Sequence, residues 1–124
     1  MILGVGLDLC GIERMVRAIE NERFLERVYT PAERSRIRDA KGVRRGEIAA
    51  GLFAAKEAVA KALGTGFAGF GPEDIEITPD DRGRPVCTLK NGAAALAGKG
   101  RVHVSVTHES GMAAATAILE EENP

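Results

Sequence analysis

Four polar side chains stand out as candidates for chemistry: Asp8, Glu57, Lys61 and His108. Glu57 and Lys61 are four residues apart, so a helix would place both on one face. Magnesium takes oxygen ligands, typically one or two carboxylates together with substrate phosphates. A nearby lysine can bind a phosphate as a point charge. The two carboxylates and the lysine therefore indicate a possible magnesium–phosphate site.

Each of these residues also has an ordinary structural explanation. Asp8 could cap the helix that follows its strand, and Glu57 with Lys61 could form a surface ion pair that adds little stability. His108 could be a structural histidine. These alternatives stay open for each residue alone, but the two carboxylates and the lysine together favour phosphate chemistry.

The elements that must position these residues follow from periodicity. Residues 2–9 alternate and predict a strand, with Leu3, Val5, Leu7 and Leu9 on a buried face. Thr30, Pro31 and Glu33 match the N-cap, N1 and N3 positions of a helix running to about residue 41. Alanine-rich residues 47–63 predict the longest helix, which Gly64 ends.

The remaining pattern completes an α+β order with a small antiparallel sheet packed against the long helix. Shorter helices are expected at 12–19, 23–28 and 93–97, and strands at 75–78, 84–89, 102–107 and 112–119. Residues 65–72 form a glycine-rich loop, and the tail 120–124 is expected to fray. The length predicts a single domain over residues 1–124.

Charge and composition restrict the possible partners. The net charge is −1, yet residues 11–47 hold ten of the 17 Lys/Arg and seven of the 18 Asp/Glu. This basic segment is either an ordinary solvated surface or a face for an acidic partner. No stretch reaches the roughly 20 apolar residues of a membrane span, and the two cysteines form no metal motif. We expect a cytoplasmic protein with buried thiols and no membrane contact.

Several motifs resemble those of the holo-acyl-carrier-protein synthases, a family of 4′-phosphopantetheinyl transferases. The segment 4–8 (GVGLD) is similar to that family's first strand, GxGxD. Residues 53–66 (FAAKEAVAKALGTG) resemble its helical signature FxxKEAxxKAxGTG. Residues 74–77 (DIEI) with 83–85 (GRP), and 103–108 (HVSVTH), resemble its hairpin and its HxSxxH strand. Order and spacing match over essentially the whole chain.

The resemblance implies a homotrimer of the 4′-phosphopantetheinyl transferase fold, with active sites between subunits. It implies magnesium-dependent transfer of 4′-phosphopantetheine from coenzyme A to a serine of apo-acyl carrier protein, with release of 3′,5′-ADP, in fatty acid biosynthesis. Asp8 and Glu57 would ligate magnesium. Lys61 would bind the pyrophosphate and protonate the leaving group. Either Glu57 or a metal-bound water would deprotonate the serine.

The resemblance assigns further residues to ligands and partners. His108 would lie near the coenzyme A phosphates, and a turn would flank the adenine nucleotide, formed by Gly83, Arg84 and Pro85. The acidic recognition helix of the carrier protein would meet three residues in the basic segment: Arg14, Arg23 and Phe24. This implication favours a docking face over a solvated surface.

Two departures from the family pattern keep other functions open. Leu52 stands where an arginine is usual, so phosphate binding would depend on Arg84, Lys56 or a neighbouring subunit. Gly111 and Met112 replace an aromatic residue. A non-catalytic trimer that binds coenzyme A or an acidic protein is the first alternative. Nucleic-acid binding is the second, and a pI of 6.1 with a single Tyr argues against it.

Overall fold

The computed structural model describes residues 1–122 and confirms the α+β class. Five strands, five helices and one 3₁₀ turn follow one another in these residues. In chain order they are β1 Ile2–Gly11, α1 Ile12–Ala18, α2 Glu22–Val28, α3 Pro31–Asp39, α4 Val43–Ala62, the 3₁₀ turn Pro72–Asp74, β2 Ile75–Pro79, β3 Pro85–Leu89, α5 Asn91–Ala97, β4 Arg101–Glu109 and β5 Met112–Glu120.

The strands form two antiparallel sheets. One has the order β1-β5-β4, and β2 with β3 forms a separate hairpin. The long helix α4 lies against β1, β5 and β4. Small side chains on the central strand, such as Ala115 and Ala117, are buried beneath it. Alanine on both surfaces lets the helix approach the sheet closely, because little side-chain volume separates the two backbones.

The first strand packs with the face opposite to the one predicted. Gly4 and Gly6 lie against α4, and a Cβ on Gly6 would collide with the carbonyl oxygen of Ala58. The other face exposes its leucine and valine side chains, and Leu7 is 64% exposed. Alternation identifies two faces but not which one is covered. Here the absence of side chains lets the glycine face approach the helix.

The two predicted helix starts have different outcomes. Thr30 accepts from the backbone N–H of Glu33, and Glu33 accepts from the N–H of Thr30, so the capping box is formed. The long helix begins at Val43, four residues before the predicted start. Its first turn contains the exposed Arg44 and Arg45, which carry no apolar signal.

At the other end of the chain, β5 continues through Glu120, into the segment that was expected to fray. Asn123 and Pro124 lie outside the described residues. Within residues 1–122, no helix has both the length and the apolar character needed to cross a bilayer.

Candidate active site

A lysine on the long helix reaches the first strand. The ammonium Nζ of Lys61 donates to the carbonyl oxygen of Leu7 at 2.9 Å and to Oδ1 of Asp8 at 3.3 Å. The Asp8 side chain is 18% exposed, whereas Lys61 is 53% exposed. The close approach of the glycine face to α4 places these two residues together. The ammonium group of Lys61 is therefore held at β1, while about half of the side chain stays exposed to solvent.

Glu57 belongs to the same cluster, one helical turn before Lys61. Burial raises the pKa of the Glu57 carboxyl, and the nearby Asp8 carboxylate raises it further. Lys61 and Arg14 partly offset this by lowering the pKa of Glu57. The structure thus brings together Asp8, Glu57 and Lys61, as the sequence analysis predicted. Two like charges held side by side form an unfavourable arrangement that a cation would relieve.

The donor set of this cluster fits magnesium better than a transition metal. Among residues 1–122, no group of three or more His, Cys, Asp or Glu side chains is arranged to hold a metal ion. Zinc in catalytic sites usually takes three protein ligands. Magnesium commonly binds through one or two carboxylates and completes its shell with substrate phosphates and water. Asp8 and Glu57 are therefore the residues that could hold it.

A stacked group of arginine and aromatic side chains adjoins the cluster. The guanidinium carbon of Arg14 lies 6.0 Å from the ring centroid of Phe53. Phe53 stacks on Phe24 with centroids 6.3 Å apart, and the exposed Arg23 precedes Phe24 in α2. Since Arg14 also lowers the pKa of Glu57, this surface lies within electrostatic reach of the carboxylate pair. Arg14 and Phe24 are thus joined through Phe53 near the cluster, and Arg23 is an exposed neighbour of Phe24 on α2.

His108 lies in a different place. A cavity of about 260 Å³ is lined by His108, by Gly83 and Pro85 of the hairpin turn, and by residues of α3 and α4. His108 Nδ1 is 3.6 Å from Oε2 of Glu47. None of the three cluster residues lines this cavity. One chain therefore presents the predicted site in two parts, the carboxylate–lysine cluster and the histidine cavity.

Because Leu52 stands where the family usually has an arginine, phosphate binding was expected to depend on other cations. Neither of the two named residues, Lys56 and Arg84, supplies charge to this cavity. The Lys56 side chain is buried and pairs with Glu33 at 2.7 Å, so its interpretation as a phosphate ligand is wrong. Arg84 is exposed and lines a separate cavity of about 610 Å³ between the hairpin and β4. Leu52 itself forms part of the wall of the histidine cavity. The charges in this cavity come from residues that the sequence analysis did not select.

Those residues are two arginines and a glutamate. Arg36 and Arg44 line the histidine cavity together with Glu47. Arg44 Nη1 lies 3.7 Å from Glu47 Oε1. The basic character of residues 11–47 was noted in the sequence, but no local rule indicates which arginines turn toward the hairpin. Phe53 was likewise identified as part of the helical signature, but its contacts with Arg14 and Phe24 were not predicted.

The cysteines are free thiols and show no sign of catalysis. Burial raises the pKa of Cys10, and it raises the pKa of Cys87 to about 12. Both stay protonated near neutral pH, and a thiol is a weaker nucleophile than a thiolate. The predicted role as small buried side chains is consistent with these positions, although Cys87 is only half-buried.

Phosphate chemistry is thus the class of activity that the fold and the carboxylate–lysine cluster define. The model of the 4′-phosphopantetheinyl transferase superfamily matches residues 4–117. The chain belongs to this superfamily, and the resemblance stated from its motifs is confirmed.

Individual relatives cover nearly the full length. The holo-[acyl-carrier-protein] synthase of Clostridium acetobutylicum is 44% identical, with 97% of this chain and 98% of the relative covered. The holo-[acyl-carrier-protein] synthase of an Exiguobacterium species is 46% identical, over 98% and 95%. The crystal structure of a holo-(acyl-carrier-protein) synthase from Bacillus anthracis in complex with CoA (3′,5′-ADP) matches with a TM-score of 0.85 and 36% identity, over 98% and 99%.

Proposed function

We propose that this protein is a holo-[acyl-carrier-protein] synthase. It transfers 4′-phosphopantetheine from coenzyme A to a serine of apo-acyl carrier protein in fatty acid biosynthesis. The serine oxygen forms a bond to the β-phosphorus, the pyrophosphate P–O bond breaks, and 3′,5′-ADP leaves. The observation that carries the proposal is the joining of Lys61 to Asp8 at 3.3 Å beside Glu57, within this family's motifs.

Within this proposal each cluster residue has a separate task. Asp8 and Glu57 would hold magnesium, which when bound neutralises charge on the pyrophosphate. Lys61 donates to a pyrophosphate oxygen and protonates the departing nucleotide. Its side chain is half-exposed, and its ammonium group, held beside Asp8, has a further donor for a ligand. Glu57, whose pKa burial raises, is the group in the cluster suited to accept the serine proton.

The surface formed by Arg14, Arg23 and Phe24 is proposed to bind the carrier protein. Its two arginines complement an acidic helix, and its stacked phenylalanines offer rigid apolar contact area. The influence of Arg14 on the pKa of Glu57 supports this assignment, because a carrier bound there would have its serine near the carboxylate pair.

The test is the intact mass of a bacterial fatty-acid apo-acyl carrier protein after incubation with this protein, coenzyme A and magnesium chloride. We expect a gain of one phosphopantetheine group that EDTA abolishes. Asp8→Asn should show no gain while retaining the wild-type unfolding transition. Asp39→Asn, at the exposed last residue of α3, is the matched control and should transfer normally. A wild-type protein that leaves the carrier mass unchanged would contradict the proposal and favour the non-catalytic alternative.

We further propose a homotrimer whose active sites lie between subunits. The outer face of the three-stranded sheet supports an assembly, because it exposes apolar side chains in a row on β1: Leu3, Val5, Leu7 and Leu9. An apolar surface of this kind usually marks a protein interface. The separation of His108 from the carboxylate–lysine cluster within one chain supports completion of each site by a neighbouring subunit.

Sedimentation velocity tests the assembly. Leu7→Glu should yield monomers without transfer activity, whereas Val43→Glu, at an exposed apolar residue on α4, should stay trimeric. Mixing Asp8→Asn subunits with His108→Ala subunits should restore part of the activity, since some interfaces then combine both intact residues. Mixed trimers without any transfer would contradict shared sites.

Two further expectations belong to the same proposal. Residues 1–124 form a single transferase domain, supported by the contact of α4 with both sheets. We place the protein in the cytoplasm, where its two free thiols would remain reduced.

A further inference from the structure

A buried tyrosine joins α2 to α4. The hydroxyl of Tyr29 donates to the carbonyl oxygen of Ala49 on α4 at 2.8 Å. At the backbone, the N–H of Tyr29 donates to the carbonyl oxygen of Leu25 at 3.0 Å, and its carbonyl oxygen accepts from Nη1 of Arg34 at 2.6 Å. Burial raises the pKa of the hydroxyl, so it remains a hydrogen-bond donor at neutral pH. Tyr29 is therefore held both at its backbone and at the far end of its side chain.

The ring of Tyr29 lies beneath the proposed docking surface of Arg14, Arg23 and Phe24. It meets the ring of Phe24 in an edge-to-face arrangement, with centroids 6.2 Å apart and an interplanar angle of 73°. Phe24 in turn stacks on Phe53, next to which Arg14 lies. Tyr29 is fully buried, the two phenylalanines are half-buried and Arg14 is exposed. The contacts thus run from the interior to the surface, with Tyr29 as the innermost group.

Lys56 contacts the same ring from within the core. Its Nζ lies over the Tyr29 ring, 6.0 Å from the centroid, and is itself held by Glu33 at 2.7 Å. A cation over an aromatic ring is attracted by the electrons of the ring face. Three contacts therefore define the orientation of the Tyr29 ring: the ammonium group of Lys56, the ring of Phe24 and the hydrogen bond of the hydroxyl.

Helix α2, which carries Arg23 and Phe24, needs such support. It has seven residues, and a helix this short is marginal in water without tertiary packing. Tyr29 directly follows its last residue and connects it to α4. The orientation of Phe24 therefore depends on the rings that pack against it.

We propose that Tyr29 is a positioning residue for carrier binding: it holds Phe24, and through Phe24 the ring of Phe53, in the orientation that binds acyl carrier protein. This inference rests on the proposed function. Tyr29 is fully buried, so it acts on the carrier only through its neighbours. A tyrosine that served the core alone would affect only the stability of the fold, whereas a positioning residue also changes carrier affinity in the folded protein.

Steady-state kinetics, with apo-acyl carrier protein and coenzyme A varied in turn, test this role. Tyr29→Leu should raise KM for the carrier roughly three- to ten-fold, the size expected for the loss of an aromatic pair. KM for coenzyme A and kcat should stay near their wild-type values. Tyr29→Phe keeps the ring and should restore KM for the carrier to within about two-fold of the wild type.

Leu119→Ala is the matched control. Leu119 is buried in β5, so the substitution lowers stability without removing a contact of Phe24. Its KM for the carrier should be that of the wild type, and a rise equal to that of Tyr29→Leu would overturn the inference. In a Phe24→Leu background, Tyr29→Leu should have no further effect on KM for the carrier, because the two residues act as one unit.

An unchanged KM for the carrier in Tyr29→Leu would overturn the inference, as would an equal rise for both substrates or additive effects in the double variant. If Tyr29→Leu fails to fold, Tyr29→Met keeps a long apolar side chain and gives the same comparison.

Calorimetric titration with apo-acyl carrier protein, without coenzyme A, separates this inference from the proposed function. A wild type that binds the carrier but does not transfer contradicts the proposed function. The ratio of the carrier affinities of Tyr29→Leu and the wild type then decides the role of Tyr29. A wild type without affinity for the carrier would overturn both.

Discussion

Lys56 and Glu33 form an ion pair in the protein interior, with Lys56 Nζ 2.7 Å from Glu33 Oε1 and both side chains almost fully buried. Lys56 also donates to the carbonyl oxygens of Pro72 and Ile75. Glu33 accepts from the backbone N–H of Ile77 at 2.7 Å. The pair thus ties α3 and α4 to the start of the hairpin. Burial lowers the pKa of Lys56, and Glu33 opposes that effect.

Lys56→Met should lower the free energy of unfolding by about 3–5 kcal/mol, because it leaves the Glu33 carboxylate buried without its cation. Urea unfolding measures the change. Lys90→Met removes an exposed ion pair with Glu76 and should cost less than about 1 kcal/mol. Equal effects of the two substitutions would contradict the importance of burial. The double variant Lys56→Met/Glu33→Gln should lose less stability than the two single losses combined.

Glu57→Gln should make the metal-free protein more stable at pH 7. The folded state raises the pKa of Glu57 above its ordinary value of 4.5, so ionisation is easier in the unfolded chain. Native stability therefore falls as the pH rises from about 4.5 through the raised pKa. The stabilisation by Gln should vanish below about pH 4.5, where both states are protonated. Unfolding curves at pH 4 and pH 7 check this, and a difference independent of pH would refute it.

Gly6→Ala should destabilise the protein and abolish transfer together. The new Cβ would collide with the carbonyl oxygen of Ala58, so β1 must move away from α4 and carry Asp8 away from Lys61. Gly11→Ala is the matched control. Its Cβ would lie 3.9 Å from the nearest atom, and its φ of −69° suits any residue. Thermal unfolding and the carrier-mass assay report the two effects. Normal activity in Gly6→Ala would contradict the close approach.

Arg23→Glu should raise KM for apo-acyl carrier protein roughly ten-fold while leaving KM for coenzyme A nearly unchanged. Arg23 is exposed beside Phe24, away from the groups that shift the pKa of Glu57. The effect should shrink at high salt, as expected for exposed charges. Lys99→Glu, in the turn between α5 and β4, serves as the control. Steady-state kinetics at varied carrier concentration measure both variants. Equal effects of Arg23→Glu and Lys99→Glu would argue against this docking surface.

Local sequence rules predicted the parts of the fold that local interactions determine. The start of α3 was predicted correctly because the capping box is complete within four residues, Thr30 to Glu33. The outward face of β1 was not predicted, since the choice depends on a helix that begins about thirty residues later. Helical periodicity placed Glu57 and Lys61 on one face, but only tertiary structure joins them to Asp8.

The candidate site shows the same division. Motif resemblance selected Asp8 and His108 and implied active sites between subunits, but it did not indicate which site residues lie apart within one chain. The sequence did not reveal the interior position of Lys56. Its partners, Glu33 and the carbonyl groups after the glycine-rich loop, are far from it in sequence. The position of Arg36 in the wall of the histidine cavity was not predicted, because it depends on the orientation of α3 toward the hairpin turn, which no periodicity describes.

The pairing of β1 with β5 has a consequence for biosynthesis. Gly11 pairs with Met112 and Ile2 with Glu120, so the first strand leaves the ribosome about a hundred residues before its partner exists. At typical rates of translation this delay is roughly 5 to 20 seconds. During that time the row of leucines is uncovered on an unpaired strand edge, which is a target for chaperones and for aggregation. Asp8 reaches its place in the sheet only when β5 arrives, so the carboxylate–lysine cluster is not in its final setting before β5 has been synthesised.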